Sequence, residues 1–215
     1  MGRTRLKDLR RAMRVGVTGA IGSGKTFFAS ALSEDPRIRR LDADRIGHEA
    51  LQPGSSLLPR IIAQFGRKIL DRSGGVDRRR LAAEVFSRPA RVEELNAIVH
   101  PWLLATLKRR ITRLNHRPGI DIVVLDAALL CESGIASMMD RVVVLEAAEA
   151  KRHLWLEERG YSLTQILGRE SAQWTPEKKK QLADIVVKND GTEKDLQFQA
   201  HRLARIWLRA LQTRE

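Results

Sequence analysis

Apolar positions cluster in five short runs along the chain: residues 13–17, 120–125, 142–145 and 185–187, with a weaker run just before Asp42. Each is short enough for a strand and is followed by a polar stretch with helical spacing. Strands that read as near-continuous apolar runs and alternate with helices imply a parallel sheet covered on both faces. After the first run, residues 26–32 have helical spacing, with Phe28, Ala31 and Leu32 on one face. A long helical insertion separates the second and third strands. It is expected over 56–65, 78–86 and 90–115, broken by turns at Gly66 and at Ser73-Gly74-Gly75. A second polar helical stretch lies between Leu145 and Ile185. The last helix, 193–212, sets Leu196, Ala200, Leu203, Trp207 and Leu211 on one stripe, as expected of a helix packed on the sheet. His100-Pro101 reads as a helix interruption and Asn189-Asp190-Gly191 as a turn after the last strand.

The junction between the first strand and the first helix carries the chemistry. Gly19, Ala20, Ile21, Gly22, Ser23, Gly24, Lys25 and Thr26 fit G-x-x-x-x-G-K-[ST], the P-loop. Strand, glycine turn and helix point successive backbone N–H groups inward and set a helix N-terminus under an anion. Glycines serve because several positions need φ > 0 and the backbone must approach phosphate with no Cβ between. Lys25 can reach the β- and γ-phosphates, and the Thr26 hydroxyl can ligate Mg²⁺. With strand and helix both in place, a chance Gly-rich turn is the weaker reading. The chain is expected to bind ATP or another nucleoside triphosphate.

Composition narrows the class. At 215 residues, 43% hydrophobic and 30% charged, the chain suits one moderate domain with room for a lid. No apolar run approaches the roughly 20 residues that span a bilayer. The single cysteine, Cys131, rules out an internal disulfide and fits a reducing cytoplasm. The net charge of +13 suits either a nucleic-acid partner or a highly phosphorylated substrate pair drawn to a basic cleft. Much of it lies in runs, at the N-terminus, Arg78-Arg79-Arg80 and Lys178-Lys179-Lys180, which read as solvated faces, and stacking aromatics are few. Small-molecule partners are therefore favoured, with no stable nucleic acid partner and no membrane, in a monomer or weak homo-oligomer. Residues 1–12 are basic and lack the apolar core of a secretory signal. They read as a frayed extension, or as an upstream start ahead of Met13, more readily than as a targeting segment.

Carboxylates stand where strands end. Asp42 and Asp44 follow the weak second strand. Ligands of open parallel sheets sit beyond the carboxyl ends of the strands, so an acid here can accept a proton from an attacking hydroxyl or help hold Mg²⁺ through water. The alternative is an N-cap for a helix over 45–51, and one aspartate can cap while the other works. Asp126 ends the most apolar strand and either organises Mg²⁺ through water or pairs locally. Arg152, Arg159 and Arg169 lie in the polar stretch after the fourth strand. An arginine-bearing segment there can close over a triphosphate and neutralise charge on the transferred phosphoryl.

These stretches together resemble the dephospho-coenzyme A kinases. The likeness lies in residues 17–26, 42–46, Gly75-Val-Asp-Arg78 with Val85-Phe86, 95–101, Leu129-Leu-Cys-Glu-Ser-Gly134, Arg169 to Gln173, and Ala183-Asp184 leading to Asn189-Asp-Gly191. It runs in order from Val15 to about Leu211. The resemblance implies transfer of the γ-phosphoryl of ATP to the ribose 3′-hydroxyl of dephospho-CoA. It also implies a P-loop kinase-type α/β fold: a parallel five-stranded sheet flanked by helices, with a helical substrate-binding insertion (about 53–117) and a lid (about 148–182) inside one domain, 13–215. Carried over by position, Asp44 is the general base, Lys25 and Thr26 the phosphate and Mg²⁺ residues, and Arg169 a lid arginine. Asn189 and Gly191 would lie near the adenine, and His100 on the substrate side. The chain departs from the family at Ala128, where a proline is usual, and at Leu154 and Glu158, near which the family carries lid arginines.

Overall fold

The computed structural model describes residues 11–86 and 88–213. All five expected strands form: β1 (Met13–Gly19), β2 (Ile38–Asp42), β3 (Ile122–Asp126), β4 (Arg141–Glu146) and β5 (Ile185–Lys188). They make one parallel sheet in the order β2-β3-β1-β4-β5. The register sets Asp42 beside Asp126, and Asp126 beside Val17, so the acid-bearing strand ends flank the strand that feeds the P-loop.

Alternation within β1 explains how both sheet faces are covered. Val15 and Val17 are fully buried in a cluster with Phe28 and Leu32 of α1 (Lys25–Leu32) and Leu196, Ala200 and Trp207 of α9 (Glu193–Gln212). Gly16 points the other way, where an added Cβ would sit 2.6 Å from the Leu130 side chain. On that face Ile111, Ile120 and Val123 pack with Ala12. Ala12 is therefore core, which removes it from the frayed extension expected over 1–12; residues 1–10 of that expectation lie outside the described residues. The helix α9 starts at a capping box, Thr192 with Asp195, and its stripe packs as the spacing requires.

Two compact units emerge, Met1–Asp42 with Ile111–Glu215, and Ala43–Arg110. The second holds α2 (Ala43–Glu49), α3 (Leu58–Phe65), α4 (Arg78–Phe86) and most of α5 (Pro89–Asn115). Its own core includes Leu57, Ile61, Phe65, Ile69 and Leu81. Two local expectations are corrected here. The helix after Asp42 begins at Ala43, so Asp44 lies in its first turn and does not cap a helix starting at 45. Pro101 does not interrupt α5, which runs through it. Val99 and Trp102 on either side of it pack on this unit's core, and that burial offsets the backbone bond the proline cannot make.

In the first unit, α6 (Glu149–Glu158), α7 (Leu163–Ser171) and α8 (Pro176–Lys180) fill the polar stretch between β4 and β5. Ile21 of the P-loop, Leu156 of α6 and Ile166 of α7 share a small apolar cluster. The lysine run of α8 is not wholly a solvated face. Lys179 is fully buried, its Nζ donating to Ala128 O at 2.7 Å and pairing with Glu132 at 3.1 Å. No helix among the described residues is long and apolar enough to cross a membrane.

Candidate active site

The P-loop closes tightly between β1 and α1. Gly22 and Gly24 adopt φ of 76° and 87°, the left-handed region that side chains avoid. Space excludes a side chain as well: a Cβ on Gly24 would sit 2.6 Å from Asn189 Nδ2, and one on Gly22 3.0 Å from Arg152 O. Ser23 is buried, and its hydroxyl finds no hydrogen-bond partner among the described residues. α1 has no acidic residue in its first turn, so the positive end of its dipole is left for an external anion. Lys25 and Thr26 open this helix, Lys25 half-buried and Thr26 exposed. A loop of N–H groups, a helix N-terminus and a lysine together form a cradle for polyphosphate.

Carboxylates gather at the same end of the sheet. Asp126 is 4% exposed, and the Thr26 hydroxyl hydrogen-bonds it. Arg40 Nη2 donates to Asp126 Oδ2 at 2.8 Å and to Asp42 Oδ2 at 3.0 Å, while its Nη1 donates to Ser30 Oγ at 2.8 Å. Burial pushes the Asp126 carboxyl up from its ordinary value, against the pull of Arg40, Lys25 and the Thr26 hydroxyl. A hydroxyl joined to a buried carboxylate is a hard-oxygen donor set of the kind Mg²⁺ takes, so Thr26 and Asp126 fit that ion. Asp126 also pairs locally with Arg40, one of the two readings that the sequence left open.

The turn after β5 is tied to the loop. Asn189 is buried and donates from Nδ2 to Ser23 O at 3.2 Å; its own N–H goes to Glu146 O at 2.7 Å. Asn189 and Gly191 border a cavity of about 430 Å³ that also touches Gly22 and Gly24. Thus the structure brings Gly22, Gly24, Asn189 and Gly191 together around one space. His100 lies in α5 of the other unit, half-buried, and Asp44 is exposed in the first turn of α2.

The three arginines after β4 have different environments. Arg152 is buried; its Nη1 donates to Ile21 O at 2.9 Å and to Glu170 Oε1 at 2.6 Å, and His153 faces the same carboxylate at 3.2 Å. It braces the loop against α6 and α7. Arg169, next to Glu170, is exposed with its guanidinium 4.9 Å from the Tyr161 ring centroid. Arg159 is exposed at the end of α6 and lines the cavity of Gly22 and Gly24. Sequence reasoning passed over Arg40, the Lys179–Glu132 pair and Lys151, whose Nζ donates to Gly191 O at 2.8 Å. Each acts through a partner distant in sequence. The one legible sign was the pair Arg39-Arg40 within a short strand, Arg40 standing two residues before an acid.

Comparison with known proteins identifies the family and the fold. The family model for dephospho-CoA kinase matches residues 13–195. A dephospho-CoA kinase of Thermobifida fusca is 35% identical over 199 residues, covering 91% of this chain and 94% of that protein. One from Streptomyces avermitilis is 36% identical over 197 residues, 91% and 92% of the two chains. Among solved structures, TT1252 from Thermus thermophilus superposes with a TM-score of 0.73 at 31% identity, covering 91% of this chain and 98% of its own. The dephospho-CoA kinase from Campylobacter jejuni shares the fold, at a TM-score of 0.67 and 23% identity, with 89% and 95% covered. With a sequence match over most of its length and the P-loop built as the motif demands, the chain belongs to the dephospho-CoA kinase family.

Proposed function

We propose that the chain transfers the γ-phosphoryl of ATP to the ribose 3′-hydroxyl of dephospho-CoA, releasing ADP and coenzyme A. Family membership makes it a kinase of coenzyme A synthesis; the assignment of ATP, Mg²⁺ and individual residues is our reading. The observation that carries it is the cradle of Gly22, Gly24 and Lys25 next to the Thr26–Asp126 pair. The P-loop N–H groups and Lys25 hold the β- and γ-phosphates and stabilise charge spreading over the transferred group. Thr26, with Asp126 through water, would hold Mg²⁺. When bound, that ion would supply positive charge that offsets the negative charge of the phosphates.

Asp44 takes the proton of the 3′-hydroxyl as its oxygen bonds to the γ-phosphorus and the bond to the β,γ-bridging oxygen breaks. Asp42, already held by Arg40, has an orienting role. Arg169, a cation on α7, joins the phosphates on closure, and His100 contributes to the acceptor side. The partners on this reading are small molecules, with no need of nucleic acid or membrane, and the setting is the cytoplasm.

ADP release should be measured with ATP and Mg²⁺ against dephospho-CoA, a nucleoside monophosphate, and no acceptor. Release that depends on dephospho-CoA is expected; dependence on the monophosphate alone would overturn the acceptor. General-base catalysis typically contributes about 10²–10⁴-fold, so Asp44→Asn should lower turnover by about that factor with ATP affinity kept within a few-fold. An active Asp44→Asn beside a dead Asp42→Asn would move the base by two residues.

A further inference from the structure

The cavity bordering Gly22 and Gly24 has an aromatic wall to which nothing so far gives a role. Trp155 of α6 forms one side, and Phe27 of α1 and Leu196 of α9 form others. Lys151, one turn earlier on α6, places its ammonium 4.7 Å from the Trp155 ring centroid and donates from Nζ to Gly191 O at 2.8 Å. The ring is therefore fixed next to the Asn189–Gly191 turn. Polar groups of both signs, Arg159 and Glu158, stand at the rim. At about 430 Å³ the cavity is in the range of small-ligand sites; its lining mixes the apolar side chains of Phe27, Trp155 and Leu196 with polar ones, Glu193 among them.

A second cavity, of about 340 Å³, touches the P-loop at Ala20 and also has a tryptophan, Trp174. Its walls carry Glu146, Glu149, Glu170 and Glu177. Four carboxylates against one arginine, itself paired with Glu170, disfavour a polyphosphate nucleotide, whereas the Trp155 cavity balances Glu158 and Glu193 with Lys151 and Arg159 and borders the backbone of Gly22 and Gly24.

The geometry points to Trp155 as the stacking platform for the nucleoside base, a binding residue that works by its π face and holds any base on the P-loop side of the cavity. The inference rests on the nucleotide reading of the P-loop but not on the acceptor. Its test contains no acceptor, so failure of the dephospho-CoA assignment leaves it standing.

Calorimetric affinities for ATP and for inorganic tripolyphosphate separate base from phosphate binding. A stacked base loses about 10- to 100-fold in affinity when its aromatic partner is truncated, so Trp155→Ala should weaken ATP by that factor and leave tripolyphosphate within about threefold. Trp155→Phe keeps a ring and should retain most of the affinity. Indole emission gives a second readout. ATP should quench it and tripolyphosphate should not, with the quench lost in Trp155→Phe and kept in Trp174→Phe. If Trp155→Ala fails to fold, the fluorescence of the two Phe variants decides. Wild-type ATP affinity in Trp155→Ala overturns the inference. So does equal weakening of both ligands, which would mark a packing role, or a quench that disappears with Trp174. A wild-type protein that binds neither ligand would overturn the nucleotide reading and this inference with it.

Discussion

The two ends of the parallel sheet treat charge in opposite ways. At the carboxyl end, Asp126 is buried with its carboxyl pushed above the ordinary range by desolvation, despite Arg40, Lys25 and Thr26. At the amino end, Asp140 precedes β4 and accepts from Arg14 N at 2.8 Å, Arg14 Nε at 3.1 Å, Arg14 Nη2 at 2.9 Å and Arg11 Nη2 at 2.7 Å. Although burial opposes it, those donors hold its carboxyl down at about 2. Asp184, before β5, likewise accepts from Val142 N at 2.7 Å, and Asp35, before β2, pairs with Arg37 at 2.9 Å. Asp140 and Asp184 thereby tie neighbouring strands together, whereas the Asp35 pair is local. A desolvated carboxylate is one that a further positive charge nearby would stabilise, and perturbed groups of this kind cluster at functional sites. Activity should therefore fail at one end of the sheet and stability at the other.

Lys25→Ala gives the largest expected effect. Electrostatic groups aimed at developing charge contribute about 3–4 kcal/mol, so turnover should fall about 10²–10³-fold. Lys25 is only half-buried, and the melting temperature should stay within about a degree. A turnover within about threefold of wild type would remove Lys25 from the chemistry. A large drop in melting temperature would break the division between the ends.

Asp126→Asn sharpens the division further. Loss of a group that helps hold an ion costs about 10–100-fold in metal affinity, which a Mg²⁺ titration of activity reads directly. Stability should hold or rise slightly, because the desolvated charge is gone while Arg40 keeps Asp42 and Ser30. A protein that melts several degrees lower would show Asp126 to be chiefly a staple, like Asp140.

The carboxyl end was the legible one. A P-loop is made of backbone, and the glycines, Lys25 and Thr26 that permit it are consecutive, so spacing alone announces the site. The central strands were visible for a related reason: β3 and β4, and most of β1, are buried on both faces and write themselves as apolar runs, whereas the edge strand β2 carries two arginines and gave only a weak run. Side-chain sites made by distant residues left no such record. Lys179 reads as one of three solvated lysines, yet it is buried on Glu132 and Ala128 O. Arg152 reads as a lid cation, yet it braces Ile21. Pro101 reads as a break, yet packing carries α5 through it. In each case a tertiary partner, absent from the local pattern, decided the outcome.

The smallest expected effect tests the amino end. Asp140→Asn keeps an acceptor for Arg14 N but loses the ion pairs to Arg14 and Arg11, which are partly exposed and so screened. The loss at pH 7 should be on the order of 1 kcal/mol, read as a fall of about 2–4 °C in melting temperature, with turnover per folded molecule unchanged. Its pH dependence is fixed by the depressed carboxyl. Ionised Asp140 contributes its stability fully above the ordinary carboxylate value of 3.8, and that contribution is lost as pH falls through about 2. Melting curves of both proteins between neutral and acid pH should therefore run parallel at first and converge near the bottom of that window. Other carboxylates titrate in both proteins, so the difference between the curves isolates Asp140. A gap that persists undiminished through pH 2 would assign the effect to packing, and no gap at pH 7 would mean that Arg11 and Arg14 do not staple this end of the sheet.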